Sequence, residues 1–296
     1  MKIETLDLDF QGSRHAIASY LVSDGRGPVL VETGPGSARG ALVACLAERG
    51  IEPRDVQHVL VTHIHLDHAG GAGWWSRQGA TVWVHEVGAP HLIDPSKLIA
   101  SATRIYGDEM ERLWGEILPV DAERVRPLAD GDRIEVEGLE LEVVATPGHA
   151  SHHHAYRLGA VAFTGDAAGV RLPGTHWVDL PAPPPEFDRE LWKKTLDKLR
   201  SLELERLYPT HFGAVDEVDE LLDGVEDQLD AAVAFVEAAV GGGLERDEVV
   251  ERYQAWSRER AIAAGLGDEE LTCLDVANPR PMSVDGIARY LRKRAS

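Results

Sequence analysis

Apolar and polar positions alternate in short runs over most of the chain, then fall into helical spacing toward its end. IETLDLDF and RHAIASYLVS, within residues 2–10 and 14–23, carry the period of two expected of strands and are parted by Gly12. PVLVE (28–32) predicts a third strand, and Gly34-Pro35-Gly36 turns the chain into a helix over 38–49 that Ser37 can cap. VQHVLVT (56–62) reads as a buried strand, 70–78 as a short helix and TVWVHE (80–85) as another strand. Residues 86–119 are mostly helical or irregular in pattern, and 124–146 suggest a run of antiparallel strands with Gly138 at a turn. AYRLGA and VAFTGD (155–166) pair through Gly159, and a helix over 187–201 leads into the strand-like ERLYPT (205–210). Val218, Leu221, Leu222, Val225, Leu229, Val233, Val236 and Val240 then follow helical spacing, with further helices near 246–264 and 283–294.

This change of pattern sets a boundary near 215, giving an expected strand-rich unit over 1–215 and a helical subdomain over 216–296. A length of 296 residues accommodates both. A hydrophobic fraction of 44% excludes a polar disordered chain, and the 29 glycines show no period of three. No apolar run reaches the roughly 18–20 residues needed to span a bilayer. MKIETLDLDFQGSRH has no apolar core of the secretory kind, and the two cysteines, Cys45 and Cys273, are far apart. A reducing, cytoplasmic setting is therefore expected. The formal charge of −20 disfavours bare nucleic acid and anionic membranes as partners. A small-molecule substrate is the expected partner, and the late helices leave room for a homodimer. The Pro-rich stretch 181–185 reads as a stiff connector, and Gly34-x-Gly36 as a turn, since a third dinucleotide-binding glycine would have to stand at 39 and stands at Gly40.

Histidine is where the chemistry shows. Seven of 13 histidines fall in two short segments, His63, His65 and His68, then His149, His152, His153 and His154. His63 and His65 are two apart at the end of an apolar strand, so both imidazoles can face one ion. Asp67 and His68 follow as the chain turns and can face a neighbouring point. His149, Asp166 and His211 each follow a strand-like run, and ligands that converge on one point must come from several strand ends. Five histidines and two aspartates suffice for two ions with one carboxylate shared.

THIHLDHAGG (62–71), TPGHASHH (146–153), TGDAAG (164–169) and PTHFG (209–213) resemble, in order, the metal motifs of the metallo-β-lactamase-fold hydrolases. The resemblance covers about residues 15–215. It implies an α/β (α+β) fold, a four-layer αββα sandwich, here followed by a C-terminal helical extension. It implies one metal site from His63, His65 and His149, a second from Asp67, His68 and His211, and Asp166 between them. Two divalent transition-metal ions are expected, zinc first, with iron or manganese as alternatives. Metal-bound hydroxide would attack a small ester, thioester or lactone-like substrate, with Asp67 as the candidate catalytic residue that orients water or shuttles its proton. No G-x-S-x-G segment offers a serine nucleophile. Similarity to glyoxalase-II-like hydrolases is weakened by PTHFG, which departs from the usual GH-containing segment. The alternatives are a mononuclear-iron oxidoreductase resembling sulfur dioxygenases and, further off, a phosphodiesterase or nuclease. Glu32 in VETG is a candidate hydrogen-bond partner behind the ligands. One of His152, His153 and His154 is a candidate proton donor, and Tyr106, Trp114 and Trp177 are candidate pocket walls.

Overall fold

The computed structural model describes residues 1–295; position 296, the last of the expected helical subdomain, lies outside them. The first half comprises β1 (Lys2–Asp7), β2 (Ala18–Ser23), β3 (Pro28–Val31), α1 (Arg39–Ala47), β4 (His58–Leu60), α2 (Leu66–Ala69), α3 (Ala72–Arg77), β5 (Thr81–His85), α4 (Ala89–Ile93), α5 (Ser96–Tyr106), α6 (Met110–Trp114) and β6 (Val125–Leu128). The second comprises β7 (Arg133–Val136), β8 (Leu139–Ala145), β9 (His154–Leu158), β10 (Val161–Val170), α7 (Arg189–Ser201), β11 (Arg206–His211), α8 (Val218–Gly241), α9 (Arg246–Ala263), α10 (Asp268–Ala277) and α11 (Arg280–Ala295). Two sheets form, a six-stranded one ordered β1-β2-β3-β4-β5-β6 and a five-stranded one ordered β11-β10-β9-β8-β7.

The four layers follow from strands that are apolar on both faces. In β2 and β3, Ala18, Tyr20, Val22, Val29 and Val31 point into the space between the sheets, where they meet Val136, Leu141, Val143, Tyr156 and Phe163. Their neighbours Leu21 and Leu30 point the other way, onto Leu42 and Leu46 of α1 and Trp75 of α3. On the far side, Ala162 and Leu207 pack against Trp192, Leu196 and Leu199 of α7 and against Leu221, Leu222 and Val225 of α8. The result is the αββα sandwich with C-terminal helices. Among the described residues, no helix is long and apolar enough to cross a membrane.

Three expectations are corrected. The first strand ends at Asp7, because Asp9, Gln11 and His15 take positive φ and turn the chain. The 124–146 run is not one antiparallel series: β6 pairs parallel with β5, while β7 and β8 form a hairpin in the other sheet. Alternation reveals a strand but not its sheet, and the crossing at 129–132 is held by Asp132 on Ala129 N (2.8 Å) and Asp130 on Ala145 N (2.7 Å). Helix α10 was not expected at all. Gly36 serves packing, since a Cβ there would lie 2.4 Å from the Glu116 carbonyl oxygen.

Candidate metal centre

The seven sequence-selected side chains meet at one edge of the sandwich. His63 and His65 follow β4, and Asp67 and His68 sit on the four-residue α2. The turn is pinned by Thr33, whose N–H and hydroxyl both donate to the His68 carbonyl at 2.8 Å. His149 lies between β8 and β9, and His211 ends β11. Asp166 lies inside β10, where the register with β11 shifts between Phe163 and Val170; such irregularity re-aims a side chain. Ligand atoms of His63, His65, His149 and Asp166 lie within 4.8 Å of one another, as do those of Asp67, His68 and His211. Asp166 faces both groups, with Oδ2 3.2 Å from His149 Nε2 and Oδ1 3.2 Å from His68 Nε2.

Hydrogen bonding fixes which nitrogens face inward. A carbonyl can only accept, so His149 donates from Nδ1 to Pro181 O (2.8 Å) and His211 from Nδ1 to Ala16 O (2.6 Å). The Thr62 hydroxyl donates to Glu32 Oε1 (2.5 Å), which leaves its oxygen to accept from His63 Nδ1 (3.1 Å). The Nε2 atoms of His63 and His149 are thereby bare, and each lies 2.9 Å from His65 Nδ1. Three lone pairs converge with at most one proton among them. The second group has the same need. His211 Nε2 faces Asp67 Oδ2 (3.4 Å) and Asp166 Oδ1 (3.5 Å), and neither nitrogen of buried His68 has an aligned hydrogen bond. Buried lone pairs and carboxylates gathered in this way are stable only around positive charge, so the residues fit a metal.

The titration tendencies agree. Burial, reinforced by the neighbouring imidazoles, pushes His63 and His65 well below the usual histidine range. Burial pushes Asp67 up, but His68 and His211 draw it down to about 2. Burial likewise opposes ionisation of Asp166, and His68, His149 and His211 hold it well below the carboxylate range. Burial pushes His68 and His211 down, but Asp166 and Asp67 draw both above the usual histidine range, so neutral imidazoles gather in the first group and the two carboxylates hold positive charge beside them in the second.

A cavity of about 330 Å³ opens onto both groups. His65, Asp67, His149, Asp166 and His211 form its floor, and its walls are mainly apolar, including Ile64, Ala102, Tyr106, Trp114 and Met282. Trp177 is buried elsewhere in the core, under Arg260. The 181–185 stretch supplies cavity wall through Pro181, Pro183, Pro184 and Pro185. Of the three further histidines, only His152 reaches the cavity. His153 instead holds the strand behind the site: Nδ1 contacts Thr146 Oγ1 (2.7 Å) and Nε2 accepts from the backbone N–H of Asp166 (3.2 Å). The carbonyls of Ala16 and Pro181 and the wall residues Lys97, Asn278 and Met282 were not singled out by the sequence. They are unremarkable residue types distant in the chain, and no local signal marks them.

An αββα sandwich with a His/Asp cluster at its edge defines a class of metal-binding proteins, and the comparison with known families agrees. A model of the metallo-beta-lactamase superfamily matches residues 12–211, and the chain belongs to that superfamily. It is 27% identical over 164 residues to a metallo-beta-lactamase fold-containing protein of Sulfurisphaera tokodaii, covering 54% of this chain and 62% of that one. It is 27% identical over 209 residues to an atrochrysone carboxyl ACP thioesterase of Aspergillus fumigatus, covering 69% of this chain and 39% of that one. The match thus spans less than two thirds of either relative. A metallo-beta-lactamase family protein of Thermus thermophilus shares the fold over 99% of this chain and 94% of its own, with a TM-score of 0.74 at 24% identity. Fold and cluster together point to divalent-metal binding.

Proposed function

We propose that the protein is a dinuclear metal-dependent hydrolase acting on an ester or thioester with an apolar acyl group. The observation that carries this reading is the convergence of His63 Nε2, His65 Nδ1 and His149 Nε2 beside a second group, Asp67, His68 and His211, with Asp166 facing both. His63, His65 and His149 would hold one ion, Asp67, His68 and His211 the other, and Asp166 would touch both. Divalent ions of the zinc type lower the pKa of a bound water to about 7 and polarise a carbonyl oxygen.

The chain's own residues do the rest. Pro181, Ala16 and Thr62 fix the tautomers of His149, His211 and His63 and so hold the ligand rings in place. Asp67 lines the cavity and can accept a proton from water at its carboxylate. The apolar wall from Ile64 to Trp114 excludes bulk water and receives the acyl group. The thioesterase name of one fungal relative supports the acyl reading. The complete second group, Asp67, His68 and His211, favours two ions over the single iron of a dioxygenase-like enzyme.

The test is elemental analysis of the purified protein, then an ester, thioester, lactone and phosphodiester panel and oxygen uptake with a persulfide. About two transition-metal ions per chain and hydrolysis of apolar acyl esters or thioesters are expected. Absence of metal uptake, or oxygen consumption without hydrolysis, would overturn the reading.

A further inference from the structure

The segment joining α10 to α11 is bonded to the backbone that orients His149. The Leu180 carbonyl accepts from Asn278 Nδ2 at 3.0 Å and from Ser283 Oγ at 2.9 Å. Two residues on, Ala182 N–H donates to the same Ser283 oxygen at 3.2 Å. Pro181 sits between these anchored positions and turns its carbonyl to His149 Nδ1. Asp179, one residue before Leu180, is buried with its Oδ2 3.6 Å from Arg280 Nη2. Arg280 also donates from Nε to Ser257 Oγ of α9 at 3.0 Å and pairs with Asp275 of α10. Asn278, Arg280 and Ser283 are all 5% exposed or less. Helix α11 approaches so closely that a Cβ on Gly286 would lie 2.0 Å from the Ala182 carbonyl oxygen, a contact only glycine permits.

These contacts reach across about a hundred residues of sequence to the loop positions on either side of one carbonyl, that of Pro181. Because that carbonyl only accepts, its position decides whether the His149 proton stays on Nδ1 and whether Nε2 faces the other ligands. We propose that Asn278, Arg280 and Ser283 are positioning residues for His149, so that the C-terminal helices set the affinity of the first metal group. The consequence for metal rests on the reading of His149 as a ligand. The consequence for the ring's tautomer does not.

The experiment uses the full chain. Ser283→Ala and Asn278→Ala remove the donors to Leu180. Ser283→Thr restores the hydroxyl. Val249→Ala, a fully buried position in the α8–α9 packing, is the control for simple destabilisation. Imidazole nitrogen NMR on metal-free protein is expected to show His149 protonated at Nδ1 alone in the wild type and in Ser283→Thr, and mixed tautomers in the two alanine variants. Chelator competition with zinc is expected to show affinity reduced by about tenfold or more in the alanine variants, with the cobalt absorption spectrum altered and Val249→Ala unchanged. A native tautomer and native affinity in both alanine variants would overturn the proposal, as would an equal loss in Val249→Ala. If the wild type bound neither zinc nor cobalt, the metal reading would fail, and the tautomer spectra would still decide whether this segment positions the ring.

Discussion

Glu32 Oε1 accepts from the Thr62 hydroxyl at 2.5 Å, and both side chains are fully buried behind the ligand cluster. The same oxygen lies 3.4 Å from His68 Nδ1, so one carboxylate backs His63 of the first group through Thr62 and faces His68 of the second. Thr62→Val keeps the shape of the side chain but leaves Glu32 and His63 Nδ1 without their shared hydroxyl. The expected outcome is a stability loss of about 1–3 kcal/mol and metal affinity reduced by about 10–100-fold. Urea unfolding and chelator competition measure the two effects separately.

His65→Ala tests the cluster directly. It removes the nitrogen that lies 2.9 Å from both His63 Nε2 and His149 Nε2. His65 lines the cavity rather than the packed interior, so turnover should fall to background while the circular dichroism spectrum stays native. Near-normal turnover in this variant would refute the hydrolytic reading.

Metal removal should cost stability as well as activity, because an ion that binds only the folded state adds to its free energy of unfolding. At a free concentration about a hundredfold above Kd the gain is about 2.7 kcal/mol. The expected outcome is a lower melting temperature after chelation, restored together with activity by added zinc. A melting curve indifferent to chelator and zinc would contradict it.

Ala102 projects from α5 into the cavity wall. Ala102→Phe should therefore crowd the acyl site without touching the ligand cluster. For p-nitrophenyl octanoate kcat/KM should fall about tenfold, and for the acetate it should stay near wild type, since contacts of a methylene or two are worth about 1–3 kcal/mol. Equal losses on both esters would place the acyl group elsewhere.

His154 predicts an acid-sensitive step in stability. Its ring is buried against Tyr156 and His85, with Nε2 3.2 Å from the Val61 carbonyl oxygen. Burial, helped by His85, pushes its pKa down to about 3 despite that carbonyl. In the unfolded chain it titrates near about 6.5, so between these values the unfolded state holds a proton that the folded state refuses. The stability associated with neutral His154 is complete above the higher value and is lost as pH falls through the window, at up to about 1.4 kcal/mol per pH unit. His154→Gln should flatten the fall in unfolding free energy between neutral and acid pH by about one proton. Identical slopes in the two proteins would contradict it.

The clustered histidines and aspartates were legible in the sequence because side chains suited to metal leave local marks. Imidazoles two apart must emerge from one strand end, and His149, Asp166 and His211 each close an apolar run. The strands were legible for a similar reason, since burial on one or both faces writes a period of two or an unbroken apolar run. The sheet to which Val125–Leu128 belongs was not, because alternation is the same whichever neighbour a strand finds.

What the sequence by itself determined was which histidines and aspartates gather at one edge of the sandwich, since side chains suited to metal are visible one by one. Only the tertiary structure decided which nitrogen of each ring faces inward, which apolar residues wall the cavity, and that Asn278 and Ser283 grip the loop behind His149. Those features depend on backbone carbonyls and on residues brought together from opposite ends of the chain. A carbonyl is the same at every position, so nothing in the order of side chains singles out the one that matters.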